Sequence, residues 1–284
     1  MEAGRLEAAD ALLAHGGAVA DGLGEPTLQW FQTVSRAKRA LITAAPSDGE
    51  ALAFEALQLG QSAGQDDAFA WMAAQLFVAR LNDGRLEELL EIIDDVRELF
   101  VEGSTAGRAT EAMAATALCE AGRSADALRV FERGLAHELA DLPHDWAALA
   151  IPALSALVCA HLEDVPRAKT LYAVIGPYAD RYVDMGPAWL GSASHYLGLL
   201  AATLDRCDEA NAHFSHAAEA HRAIGATVWL ARTQLDWAAM LLNRSSAADA
   251  SRAAELLRAA LVAARQLGLE AAERRAASLL DRCN

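Results

Sequence analysis

Apolar residues recur along the chain at intervals of three and four, separated by short polar or glycine-containing interruptions. In the stretch from Gly186 to Gly225, Pro187 opens one such run, which continues to Leu204. Charged residues at 205–209 interrupt it before a second amphipathic run ends at Gly225. Because a period of 3.6 residues places these apolar positions on one helix face, the stretch predicts a pair of antiparallel helices.

The same two-helix unit recurs at a nearly constant step. Pair starts are predicted at residues 26, 67, 106, 145, 187 and 227. A leading helix over residues 4–24 precedes six pairs over 26–268, and a C-terminal capping helix follows over 269–284. A constant step of about 40 residues is typical of stacked helical hairpins, each of which buries its apolar face against its neighbours. We predict one all-α domain over residues 1–284, a right-handed α-α superhelix of about 14 helices.

Two local features mark the repeat. Five tryptophans share an early position in the first helix of a pair, and they are Trp30, Trp71, Trp146, Trp189 and Trp229. Several turns begin with Gly-Arg, as at Gly84 and Gly122, and Asp205 takes the place of glycine in the fifth pair. The first residue allows a tight turn, and an acidic residue then falls in the first turn of the next helix, where the dipole favours it.

Other local signals predict a helix start and two interruptions. Ser47 and Glu50 have the spacing of a capping box at the start of a helix. Pro152 falls inside the first helix of the fourth pair, and Gly176-Pro177 falls inside the second. Because proline lacks an N–H and clashes with the preceding turn, we expect a kink or break at both prolines.

The chain resembles a known class of helical repeats. Small residues at packing positions and the Gly-Arg turns resemble tetratricopeptide-type repeats, here longer than usual. More specifically, residues 177–181, 196–201, 213–214, 225–226 and 231–233 resemble the repeat region of large actinobacterial ATPase regulators, which are LuxR-type or adenylate-cyclase-linked transcriptional regulators. In that family an ATPase precedes the repeats. The resemblance implies that the repeats act as a sensor or assembly arm, which holds the ATPase off until a partner or small ligand binds.

The resemblance does not extend to the catalytic parts of that family. The chain contains no Gly-x-x-x-x-Gly-Lys-Ser/Thr phosphate loop, so ATP hydrolysis cannot be assigned to these residues. It also has no Gly-x-Ser-x-Gly motif of the kind that carries a hydrolase nucleophile. We therefore predict no catalytic residues, no metal ligands and no cofactor, and cyclase activity and DNA binding are not transferred either.

Charge and cysteine usage narrow the possible partners. The formal net charge is −15, with a sequence pI near 4.9, which opposes close approach to nucleic acid or to an anionic membrane. The four cysteines are too far apart in sequence for a zinc or redox motif, which favours a reducing compartment. No signal peptide is visible at the N-terminus. We expect a cytoplasmic protein that binds a protein partner or a linked ATPase or effector domain. Binding of a small-molecule effector is kept as an alternative.

An acidic stripe is one candidate binding surface. It consists of Glu87, Glu91, Asp94, Asp95 and Glu98, opposite a run of leucine, isoleucine and valine. Such a stripe is usually a solvated helix face. It could also dock a basic partner segment, because like charges at i and i+4 destabilise a helix and a cationic partner would relieve that repulsion.

Aromatic and histidine side chains supply two further candidates. The five early-helix tryptophans either line a groove that accepts a peptide or fill the seams between neighbouring pairs. His195, His213 and His216 could hold a metal in an enzyme, but the spacing lacks the glutamate of zinc peptidase helices. The pattern favours solvated margins for His213, His216 and His221. The leading interpretation is a non-catalytic interaction and regulatory module; a small-molecule sensor and a metal enzyme are the alternatives.

Overall fold

The computed structural model describes residues 4–135, 147–244 and 247–283, which form fourteen α-helices and one two-stranded sheet. The helices are α1 (Leu6–Leu23), α2 (Pro26–Thr43), α3 (Pro46–Ser62), α4 (Ala68–Asp83), α5 (Leu90–Glu98), α6 (Thr105–Glu120), α7 (Ser124–Leu135), α8 (Ala150–Leu162), α9 (Val165–Ile175), α10 (Ala193–Thr203), α11 (Cys207–Ala223), α12 (Thr227–Asn243), α13 (Ala247–Leu267) and α14 (Glu270–Asp281). The strands are β1 (Tyr182–Asp184) and β2 (Trp189–Ser192). The predicted all-α class is confirmed.

Consecutive helices pack against one another along the chain. The closest packing joins α2 to α3, α6 to α7, α10 to α11 and α12 to α13, as expected for helix pairs. The first helix of each pair carries most of the burial. In α4, for example, every side chain from Met72 to Ala79 is buried. A helix that is apolar all round must be covered on all sides, so α4 lies inside the stack rather than on its surface.

Helices that are distant in sequence also meet. Helix α12 packs against α2 and α4, and α14 packs against α4. The Arg232 guanidinium on α12 donates a hydrogen bond of 2.6 Å to the carbonyl oxygen of Leu81 on α4. Gly84 follows α4, and a Cβ built there would lie 2.6 Å from the Ala271 side chain on α14. Glycine is therefore needed at this approach as well as for its positive φ of 68°.

The fifth pair differs from the prediction. Its first helix was expected from Pro187, but α10 begins at Ala193, and Trp189 lies on β2. Strands β1 and β2 pair antiparallel, with Tyr182 opposite Ser192 and an irregularity before Asp184. The sequence contains the physical reason, since the glycines at 186 and 191 adopt φ values of 75° and 81°, which a helix does not allow.

The fourth pair shows one of its two predicted interruptions. Helix α9 ends at Ile175, and a 3-10 turn follows over Gly176–Tyr178, so the predicted break is confirmed. The expected kink at Pro152 is wrong. Helix α8 begins at Ala150, which places Pro152 in the first turn, where the missing N–H would have had no helical partner anyway.

The turn residues behave as predicted, whereas the capping box does not form. Gly122 and Asp205 have φ values of 71° and 58°, so both adopt the left-handed conformation expected of the repeat turns. Helix α3 begins at Pro46, and no side chain caps it, so Ser47 lies inside the helix. The Glu50 carboxylate instead accepts a 2.8 Å hydrogen bond from Arg85 in the next pair.

Within the described residues, no helix combines the length and the apolar character that crossing a bilayer requires.

Candidate binding cavity and acidic helix face

An apolar cavity of about 360 Å³ opens between α4, α5, α6 and the β1–β2 loop. Its lining is mostly small or apolar, with two methionines and two large aromatic rings. The lining residues are Asp67, Ala70, Trp71, Ala74, Val96, Phe100, Ala106, Ala109, Thr110, Met113, Met185, Gly186 and Pro187. The volume falls in the range of about 300–1,000 Å³ that is usual for ligand pockets.

Trp71 is the predicted candidate that this cavity contains. Its ring lies 5.0 Å from Trp30 and 5.6 Å from Phe31, measured between ring centroids. These two rings of α2 hold one side of the indole, and the side chain remains half-buried rather than covered. An anchored but accessible indole offers a large rigid surface at a low cost in conformational entropy.

The β1–β2 loop forms one wall of the cavity and is held from two sides. The Lys38 ammonium on α2 donates to the Asp184 carboxylate at 2.6 Å and to the Gly186 carbonyl oxygen at 2.8 Å. The buried Gln75 amide on α4 donates to the carbonyl oxygen of Pro187 at 2.9 Å and to that of Val34 at 2.8 Å. Two side chains therefore fix the loop at its distance from Trp71.

The cavity lining is suited to binding rather than to proton transfer. Thr110 donates its hydroxyl to the Ala106 carbonyl oxygen at 2.9 Å, which leaves only its lone pairs free for a ligand. Asp67 is the one ionisable residue among the lining side chains, and it is exposed. General acid–base catalysis needs a side chain positioned at the reacting group, and the ionisable side chain that this lining offers is the exposed Asp67. The arrangement accommodates an apolar group.

The predicted acidic stripe lies beside the cavity, on α5 and the 3-10 turn Leu86–Leu89. Ile93 and Val96 are buried on one side of α5. The stripe carboxylates are exposed, as predicted for a solvated face; they belong to Glu87, Glu91, Asp94, Asp95 and Glu98. Asp94 pairs with Arg97 at 2.9 Å, and Arg97 also holds Glu111 at 2.9 Å. Among the described residues, the other four stripe carboxylates have no ion pair.

Phe100 joins the cavity to the acidic face. This residue lines the apolar cavity and also a neighbouring open groove of about 850 Å³. Three acidic residues of the α5 region line that groove, namely Asp94, Glu98 and Glu102. Three arginines and Glu111 line the groove as well, and the arginines are Arg97, Arg108 and Arg133. An apolar site and a charged one are thus contiguous.

Of the other predicted tryptophans, the three that the structure describes do not line this cavity. Trp30, Trp189 and Trp229 are at most 2% exposed, so their indoles fill the core between helices. Trp146 lies outside the described residues. Among the four predicted tryptophans that the structure describes, three are therefore buried as the seam-filling interpretation expects, and Trp71 is the one that lines a cavity.

Two histidines lie in a buried polar network, which corrects the expected solvated position of His221. Its Nε2 accepts a hydrogen bond of 2.9 Å from the backbone N–H of Ser192, so the proton of the neutral ring is on Nδ1. That N–H donates to the Thr233 hydroxyl at 3.2 Å, and Thr233 donates in turn to His195 Nδ1 at 3.1 Å. The His195 Nε2–H then faces Asp236, with 3.5 Å between the nitrogen and the carboxylate.

Burial sets the charge states of this network. It lowers the pKa of His195 to about 4, although the charge of Asp236 opposes the shift. It also lowers the pKa of His221 well below its ordinary value. Burial alone would raise the pKa of Asp236, but the charges of Arg275 and Arg232 outweigh it and lower that pKa. At neutral pH the network therefore contains neutral imidazoles beside a paired carboxylate.

The structure does not bring the three candidate metal ligands together. His195 is hydrogen-bonded to Thr233. The Nε2 atom of His213 lies 2.9 Å from the Tyr172 hydroxyl, and that of His216 lies 3.4 Å from the Asp180 carboxylate. In the described part of the chain, no group of three or more His, Cys, Asp or Glu side chains is arranged to hold a metal ion.

The sequence missed most of the cavity lining. Met113, Met185 and Phe100 come from α6, the β1–β2 loop and the segment after α5, so no single periodic pattern includes them. A usable signal was present at Gly186-Pro187, because such a dipeptide is typical of a turn. Comparisons of the whole chain with protein-family models, curated proteins and solved structures give no match.

Proposed function

We propose that this chain is a non-catalytic interaction and regulatory module, in which the cavity beside Trp71 receives an apolar group of a protein partner. The observation that carries the proposal is the half-buried Trp71 indole in an apolar cavity of about 360 Å³. Aromatic side chains that remain accessible in a preformed pocket are typical anchors of protein interfaces.

The architecture that we propose is a right-handed tetratricopeptide-like superhelix. Its support is the periodic sequence together with the packing of consecutive helices. From the sequence resemblance we further propose that the chain is the repeat arm of a signal-responsive ATPase transcriptional regulator in the cytoplasm. In such an arm a partner shifts the linked ATPase only by its differential affinity for the two states of the regulator.

A small-molecule sensor is the second candidate, and the cavity volume favours it specifically. A compact apolar effector would fill the same space that we assign to a partner side chain. The two candidates share the cavity but differ in what lies outside it, because a protein segment continues across the neighbouring surface. They are therefore separable by experiment.

The first experiment asks whether the cavity binds an apolar group at all. The neutral dye N-phenyl-1-naphthylamine is titrated with the protein, and the emission of the dye is followed. We expect one saturable site. Ala70 lines the cavity, and Ala70→Leu fills part of it, so the affinity for the dye should fall by about tenfold, as expected for steric exclusion from a small pocket.

The matched control places the same substitution elsewhere. Ala259 is exposed on α13 and lines none of the cavities described above, so Ala259→Leu should bind the dye as the wild type does. Far-UV circular dichroism checks that both variants fold. Absence of saturable dye binding, or equal affinity in Ala70→Leu and the wild type, would refute the proposed site.

A further inference from the structure

The acidic face of α5 contains like charges that repel one another and destabilise the helix. Glu91 and Asp95 lie four residues apart, as do Asp94 and Glu98, and like charges at this spacing destabilise a helix. Glu98 is also the last residue of α5, where the helix dipole disfavours a negative charge. Glu102 adds another exposed carboxylate just beyond that end. A bound cationic group would reduce the repulsion between these carboxylates and the unfavourable interaction of Glu98 with the helix dipole.

The basic side chains of the adjoining groove do not make this surface positively charged. Arg97 is already engaged by Asp94 and Glu111. Across the groove and the face of α5, the acidic residues outnumber Arg97, Arg108 and Arg133, and the chain as a whole carries a charge of −15. This surface therefore attracts cations over a distance set by ionic strength, and it repels a polyanion.

The apolar and acidic surfaces are close enough for one occupant. Val96 lines the cavity from the buried side of α5, whereas Glu98, two residues further along, is on another side of the helix and lines the groove. Phe100 lines both the cavity and the groove that contains Glu98 and Glu102. A group seated beside Trp71 thus places its neighbours next to exposed carboxylates.

Resting on the proposed function, we infer that the partner segment is both apolar and basic. One bulky apolar side chain enters the cavity beside Trp71, and flanking lysines or arginines pair with Glu98 and Glu102 in the adjoining groove. The apolar side chain supplies the desolvated contact, and the basic residues supply steering and register, as is usual for charges at the rim of an interface.

Three labelled synthetic peptides of equal length test this inference. The first has a central leucine flanked by lysines, the second replaces the leucine by serine, and the third replaces the lysines by glutamates. Fluorescence polarisation gives their dissociation constants at low salt and at about 0.3 M salt, where the Debye length is only about 5–6 Å. We expect the first peptide to bind best and to lose affinity as the salt concentration rises.

Two double variants locate the basic contacts. Glu98→Gln with Glu102→Gln removes two carboxylates beside Phe100 and should weaken the leucine–lysine peptide by about three- to tenfold at low salt. It should leave dye binding unchanged. The control, Glu219→Gln with Asp281→Asn, removes two exposed carboxylates elsewhere. Like Glu98 on α5, Asp281 is the last residue of its helix, α14, so the control also removes a negative charge from a helix C-terminus. The control should bind the peptide as the wild type does.

The outcomes separate this inference from the proposed function. If the dye binds but no peptide does, the occupant is a small apolar molecule and the inference is wrong. It is also wrong if the serine or glutamate peptide binds as tightly as the first, or if both double variants behave alike. If the dye itself fails to bind the cavity, the proposed function fails together with the inference.

Discussion

Trp71 and Trp229 occupy the same predicted position in their helix pairs, yet their surroundings differ. Trp229 is fully buried, with Trp189 at 5.8 Å and the backbone of Gly191 against its ring, where an added Cβ would lie 2.5 Å away. Trp71 packs against Trp30 on one side and faces a cavity on the other. The two tryptophans share a predicted position in a helix pair, but the element that covers each indole decides whether it lies in the core or lines a cavity.

The element that covers Trp229 and the one that faces Trp71 are two parts of the same β1–β2 hairpin. Strand β2 lies close against Trp229 because Gly191 has no side chain. The loop from Met185 to Pro187 lies across from Trp71, but Lys38 and Gln75 hold it at a distance that leaves the cavity. A close-packed indole gains dispersion contacts on both faces, and one beside a void forfeits part of them.

The largest effect should come from truncating the two tryptophans. Trp229→Ala should lower the free energy of unfolding by about 3–5 kcal/mol, because it leaves a large cavity in a close-packed core. Trp71→Ala should cost only about 1–2 kcal/mol, since part of that indole is solvated already and less apolar area is lost. Urea denaturation followed by circular dichroism measures both values. Equal losses would contradict the contrast drawn between the two indoles.

The buried polar network near Trp229 should make stability depend on pH. His195 has a pKa of about 4 in the folded protein, below the ordinary 6.5, so the unfolded chain binds more protons between these values. The contribution of His195 to the free energy of unfolding is therefore fully present above pH 6.5 and is lost as the pH falls toward 4. Because burial also lowers the pKa of His221, its contribution has the same sign. The expected loss from His195 alone is about 3 kcal/mol at pH 4.

Two glutamine variants test this pH dependence. His195→Gln removes one of the two titrating rings, so the free energy of unfolding should fall less between pH 6.5 and pH 4 than in the wild type. His216→Gln is the control, because that side chain is half-exposed and lies outside the network. Denaturant titrations at several pH values give the slopes. An unchanged slope in His195→Gln would mean that this ring does not carry the pH dependence.

The helices could be predicted because their apolar residues recur at a local period. The hairpin at 182–192 could not, since Trp189 and Leu190 fit a helix as well as a buried strand and only the glycines argue otherwise. His221 lies seven residues after Phe214, on the same buried stripe of α11. Its polar character suggested an exposed position, and the partners that satisfy it are on β2 and α12.

The acidic stripe and the cavity illustrate the same limit. The exposure of the stripe could be predicted from one continuous stretch of sequence, because it follows from the buried residues on the opposite side of α5 and of the 3-10 turn before it. The cavity is assembled from α4, α5, α6 and a loop about 80 residues further along the chain, so its existence depends on tertiary packing. Trp71 alone could be chosen from the sequence, and it could not be separated there from the buried tryptophans.

The smallest effect tests whether the loop sets the width of the cavity. Lys38→Met removes the hydrogen bonds to Asp184 and to the Gly186 carbonyl oxygen but keeps an apolar stem of similar length. Because the pair is partly solvated, stability should fall by no more than about 1 kcal/mol. Dye affinity should nevertheless weaken by about two- to fivefold, since a loosened loop no longer holds one wall in place. Lys169→Met removes the only other lysine, which is exposed on α9, and should change neither quantity. Unchanged dye affinity in Lys38→Met would show that Gln75 alone fixes the loop, and the difference between the two tryptophan environments would then depend on α4 rather than on α2.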